Sequence, residues 1–198
     1  MTEKAMDKIW LRTAEKLIYV DPVTYLIKMQ RLEIVVNRSD LDAKVKALRM
    51  NDQKPYREHR EAALFCIGIS ERLGYKVYFA AQEDQDYDFI AMWIIDDTRH
   101  FAQVQLKELV PAHINSLASI EDILISLKRL TDSRRLTVAI HLNRECRFEP
   151  DLLKVPDINI QSLWIFGSAT ADKTSWNLWG NFIDENPIRT QFFYPKAH

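Results

Sequence analysis

Along the first twenty residues the apolar positions Met6, Ile9, Trp10, Leu17 and Val20, with Thr13 on the same stripe, recur at spacings of three and four. That period predicts a helix. "DPVTYLIKMQRLEIVV" predicts a second, with Asp21 as N-cap and Pro22 at the first helical position. "SDLDAKVKALRM" predicts a short third helix capped by Ser39 or Asp40, and "NDQKP" a linker. Residues 55–73 carry Ala62, Leu64, Phe65, Ile67, Ile69 and Leu73, a broad apolar surface that Gly74 terminates.

After Gly74 the period changes to two. "YKVYFAAQ" reads as a strand, "EDQDYD" as a charged connection and "FIAMWII" as a strand buried on both faces. "DDTRH" reads as a turn and "FAQVQLKEL" as a third strand, so the last two form an antiparallel hairpin. Pro111 stops the strand. "SIEDILISLKRL" predicts an amphipathic helix with Ser119 as N-cap, and "LTVAIHLN" and "INIQSLWIFGS" two more strands. The helical crossover before them permits parallel pairing. The expected fold is a mixed central β-sheet flanked by helices, in an αβββαβ order, with an N-terminal helical extension. The expected division is a helical extension over 1–53, an α/β core over 54–171 and an aromatic-rich tail over 172–198. The tail holds Trp176, Trp179, Phe182, Phe192, Phe193 and Tyr194, so it is expected to pack onto the core.

Composition narrows the function classes. The chain of 198 residues balances 27 Lys and Arg against 28 Asp and Glu, so any nucleic-acid contact must come from a local basic surface. Four glycines form neither GxxxxGK[ST] nor GxGxxG, which excludes the glycine-rich phosphate loops. The only cysteines, Cys66 and Cys146, make no CxxC pair and no cysteine zinc site; isolated thiols suit a reducing cytoplasm. No segment has the length of a membrane span, and the N-terminus lacks a signal-type apolar run.

Candidate chemistry lies on the second and third strands. One face of "FAQVQLKEL" carries Phe101, Gln103, Gln105 and Lys107, and Asp88 opens the preceding strand. If the hairpin pairs in the simplest register, Asp88 meets Gln105 and Lys107 across the ladder. A carboxylate, an amide oxygen and an ammonium would then converge at one end of the sheet. A hard divalent cation takes oxygen ligands from such a place and lowers the pKa of its water. The lysine can position that water or support the developing charge.

Asp88 followed by Gln105-Leu106-Lys107, set in an αβββαβ order over about residues 55–167, resembles the PD-(D/E)XK nuclease superfamily. The nearest variant is the Mrr-type restriction endonucleases, which carry Gln in the second acidic position. The resemblance implies a Mg²⁺- or Mn²⁺-dependent DNA endonuclease, with Asp88 and Gln105 as metal ligands and Lys107 as catalytic lysine. It also implies a glutamate from the preceding helix, matched by Glu61 or else Glu58. Tyr87 stands where the literal motif has proline, and the Gln105 amide binds a cation less strongly than a carboxylate. The alternative expectation is an inactive nuclease fold that binds nucleic acid or protein.

The run Lys128, Arg129, Arg134, Arg135 is the candidate phosphate-contacting patch, with Arg144 and Arg147 as additions. It also suits a solvated helix end complementing the dipole. His141, inside "VAIHLN", reads as a core or edge histidine. The N-terminal helices suit packing or a homodimer, which would bring two sites to two strands.

Overall fold

The computed structural model describes residues 3–40, 42, 53–82, 87–130, 133–184 and 187–196. The described residues contain four α-helices: α1 (Glu3–Lys16), α2 (Pro22–Asn37), α3 (Lys54–Leu73) and α4 (Ile120–Leu127). Seven strands form one mixed sheet in sequence order: β1 (Tyr78–Ala81), β2 (Phe89–Ile95), β3 (Thr98–Leu109), β4 (Ser133–Leu142), β5 (Ile160–Ser168), β6 (Ser175–Gly180) and β7 (Ile188–Phe193). No helix among the described residues is long and apolar enough to cross a membrane. Most of the expected third helix, the start of the linker and residues 83–86 of the charged connection "EDQDYD" lie outside the described residues.

Local chemistry sets the element ends. The Asp21 carboxylate accepts from the N–H groups of Val23 (2.9 Å) and Thr24 (3.1 Å), satisfying donors that the first turn of α2 leaves open. Gly74 closes α3 in the left-handed region at φ 72°, where a Cβ is disfavoured. Ser119 Oγ accepts from Asp122 N–H at 3.1 Å and starts α4. The β2–β3 turn is shorter than "DDTRH" suggested. Only Asp96 (φ 47°) and Asp97 (φ 60°) make it, because two successive left-handed residues match the twist of a tight hairpin. Thr98 and Arg99 already pair with Ile95 and Ile94.

β1, β2 and β3 form an antiparallel meander, and the crossover through α4 lays β4 parallel to β3. β5 continues parallel to β4. The C-terminal tail supplies the next two strands, antiparallel β6 and β7, rather than merely packing on the core. The sheet curls around α3, which touches β1 near one edge and β7 at the other. Gly68 permits this closure: a Cβ there would meet the Phe192 ring at 3.0 Å.

Both faces of the sheet are covered. On the α3 face, Ala62, Phe65 and Cys66 pack on Phe89, Val104, Leu106, Ala139, Phe166 and Trp176, with Leu26 of α2 added. On the opposite face, Leu124 and Leu127 of α4 and Ala14 of α1 pack on Ile90, Val138, Ile140 and Leu163. The N-terminal helices therefore contribute to both cores. A single bridge between Val20 and Phe79 ties the segment joining them to β1.

Candidate active-site cleft

Three helical positions at i, i+3, i+4 and i+7 spacing, Arg57, Glu58 and Glu61, follow Lys54 along one side of α3. Beside them lies a cleft of about 240 Å³ lined by Pro55, Glu58, His59, Ala62, Ala81, Asp88, Phe89 and Leu106. Lys54 pairs with Glu58 at 3.2 Å, one turn away. His59 sits against the rings of Tyr25 and Phe79, and burial pushes its pKa below the ordinary value. It therefore enters the cleft as a neutral imidazole at pH 7.

Asp88 joins the cleft through a local irregularity. In register Phe89 faces Val104, yet the Asp88 N–H also donates to the Val104 carbonyl at 2.9 Å. Two residues at the head of β2 thus oppose one on β3, as in a β-bulge, and bulges re-aim side chains. Asp88 Oδ2 accepts from the Leu106 N–H at 2.6 Å, so the carboxylate occupies the next rung of the ladder. That short, charge-assisted bond replaces a strand–strand contact.

Gln105 and Lys107 do not join it. Their β4 partners are Val138 and Ile140, which belong to the core beneath α4. Cross-strand partners share a face, so both side chains project to the α4 side. Gln105 Oε1 is buried there with no hydrogen-bond partner. Lys107 is half-buried. The expected convergence of Asp88, Gln105 and Lys107 is replaced by a division: Leu106 and its neighbours at even positions face α3, and the odd positions face away. Asp88 and Gln105 do not fit as joint ligands of one ion.

The even positions bring a different group to α3. Glu108 on β3 pairs in register with His141 on β4. Glu61 Oε1 reaches His141 Nδ1 at 3.2 Å. One ligand atom from each of Glu61, Glu108 and His141 lies within 4.8 Å of the others. The Asn143 amide donates to Glu108 Oε1 at 2.6 Å, and Arg57 Nε stands 3.9 Å from Oε2. The His141 ring stacks on Phe166, centroids 4.9 Å apart and planes 9° apart. Sequence reading placed His141 in the core, where it is, but missed Glu108; its signal was the strand period, which sets it on the face shared by Val104 and Leu106.

Arg144 is not available to phosphate. Its guanidinium donates to the carbonyls of Val110, Asn115 and Ala118 at 2.6–3.1 Å and clamps the segment after β3. Arg147 pairs with Glu149 at 2.7 Å. Lys128, Arg129, Arg134 and Arg135 are exposed where α4 ends and β4 begins. Arg135 and His141 are six steps apart along β4, about 20 Å at about 3.3 Å per residue.

No family model, curated protein or solved structure matches the chain.

Proposed function

We propose that the chain is a metal-dependent phosphodiesterase acting on DNA, with its chemistry in the cleft between α3 and the head of β2. The observation that carries the reading is the presence of two acidic pairs on the α3 side of the sheet, Glu58 with Asp88 in the cleft and Glu61 with Glu108 beside His141. Four carboxylates repel a phosphodiester unless a cation stands between them, and metal-assisted hydrolysis uses such a cation to activate water and neutralise charge. The neutral His59 imidazole offers a proton acceptor in the same cleft. DNA as substrate and a restriction-endonuclease-like core rest on the sequence resemblance carried by Asp88 and Gln105-Leu106-Lys107 alone, since the sheet sets Gln105 and Lys107 on the opposite face from the cleft that Asp88 lines. A homodimer through the N-terminal helices would present two clefts to two strands. A reducing cytoplasmic setting suits the two free thiols, Cys66 and Cys146.

An inactive nuclease fold used for binding is the second reading. It is favoured by the Leu106 N–H already held by Asp88 and by Lys107 lying on the α4 face. Incubation with supercoiled plasmid, linear duplex and single-stranded oligonucleotides in Mg²⁺, Mn²⁺ or Zn²⁺ separates the two. Metal-dependent nicking that disappears in Glu108→Gln supports hydrolysis. Binding without cleavage in every metal supports the second reading.

A further inference from the structure

We propose that Glu61, Glu108 and His141 form a binding site for a divalent first-row transition cation, Mn²⁺ or Zn²⁺, rather than for Mg²⁺. The inference deepens the functional reading and rests on it only for the use of the ion in hydrolysis. The site draws one ligand from each of α3, β3 and β4. One imidazole nitrogen and two carboxylates is a mixed donor set, whereas Mg²⁺ favours oxygen ligands and retains its waters.

The strongest support is the state of two buried atoms. Glu61 and His141 side chains are 6% and 5% exposed. Glu61 Oε1 and His141 Nδ1 lie 3.2 Å apart, yet neither has an aligned hydrogen-bond partner. Buried polar atoms left so cost about 1–3 kcal/mol each, so a simple Glu–His pair would close into alignment. A shared cation satisfies both at once. At a bond length of about 2.1 Å, two atoms this far apart subtend about 100° at the ion, within the range of tetrahedral and octahedral sites.

The surroundings orient the ligands. Phe166 fixes the plane of the His141 ring, and Asn143 holds one Glu108 oxygen. Such outer contacts are what metal ligands require to hold their direction. Glu108 is the most open of the three, at 13% exposure, and is the ligand nearest solvent.

The test is metal titration of the chelator-treated full chain by calorimetry, joined to pulsed electron paramagnetic resonance of the Mn²⁺-loaded protein. We expect one Mn²⁺ or Zn²⁺ per chain, bound at least about tenfold more tightly than Mg²⁺. The Mn²⁺ spectrum should show coupling to one imidazole nitrogen. Glu61→Gln and Glu108→Gln should each weaken binding by about tenfold or more, while Gln105→Ala and Lys107→Ala leave it unchanged. The wild-type nitrogen coupling keeps the test decisive even if a variant misfolds. Absent coupling, or affinity unchanged in both glutamine variants, overturns the site. Mn²⁺ bound here without DNA cleavage would sink the functional reading and leave the site. Cleavage that persists in Glu61→Gln and Glu108→Gln while both lose Mn²⁺ affinity would leave the site and remove its role in hydrolysis.

Discussion

Replacing Asp88 separates three roles for one carboxylate. Its Oδ2 is the acceptor for the Leu106 N–H at 2.6 Å, and Leu106 is buried between α3 and the sheet. Asp88→Ala removes the acceptor and leaves the Leu106 N–H at the wall of the cleft. The cost of an unsatisfied buried N–H is about 1–3 kcal/mol, so about 2 kcal/mol is expected. For a chain of this size that lowers Tm by about 4–8 °C. Asp88→Asn keeps an oxygen at the same place and should cost under about 1 kcal/mol. Lys107 lies on the other face, so a double-mutant cycle of Asp88→Ala with Lys107→Ala should give a coupling below about 0.5 kcal/mol. Urea unfolding of the wild type and the four variants (Asn, the two alanines and the double) supplies every number. A coupling of about 3 kcal/mol would mean a buried Asp88–Lys107 ion pair and would refute the face assignment. Equal losses in Asp88→Asn and Asp88→Ala would refute the hydrogen-bond role.

Three further perturbations test other parts of the fold and its surface. Burial opposes ionisation of Asp21, but Lys76 at 2.5 Å and the N–H groups of Thr24 and Val23 together hold its carboxyl below the ordinary value. A depressed folded pKa gives stability that is present above the unfolded pKa near about 4 and lost as pH falls through the folded value. Asp21→Ala should therefore cost about 1 kcal/mol at pH 7, with the gap to wild type shrinking below about pH 4 in denaturant melts. Gly180 has φ 147°, and a Cβ there would stand 2.6 Å from Trp164 Cε3 and 2.9 Å from the Leu163 carbonyl oxygen. Gly180→Ala should cost about 3 kcal/mol in the same assay, and an unchanged midpoint would contradict that packing. Alanine at Lys128, Arg129, Arg134 and Arg135 together should weaken duplex binding and reduce the salt slope by up to about 3–4, while sparing Mn²⁺ affinity. A duplex reaching both this patch and His141 spans about six base pairs at about 3.4 Å per step. Unchanged binding would leave the patch a solvated helix end.

Helix ends and the meander were readable because each has a short-range cause. Asp21 with Pro22, Gly74, and Ser119 mark helix ends by chemistry within a few residues, and the period-two runs marked β2 and β3. Alternation also sorted Gln105 and Lys107 from Val104 and Leu106 correctly. It did not identify which set meets α3, because both faces are covered and each set includes apolar residues on β3 and its neighbours. The irregular pairing of Asp88 with Val104 is set by strand–strand contact, which leaves no local mark in "DYDFIA". β6 and β7 escaped for a related reason. Their aromatic residues signalled burial, but their order in the sheet depends on how α3 closes over Gly68 and Phe192. Glu108 and His141 are 33 residues apart in sequence, and only the parallel register of β3 and β4 makes them neighbours.

The most direct measurement is an anomalous-scattering map from crystals of the protein soaked in Mn²⁺. The expected result is a single strong peak among Glu61 Oε1, His141 Nδ1 and a Glu108 carboxylate oxygen, with Gln105 and Lys107 turned toward α4. A peak bridging Asp88 and Gln105, with Lys107 beside it, would contradict the placement of the chemistry on the α3 face.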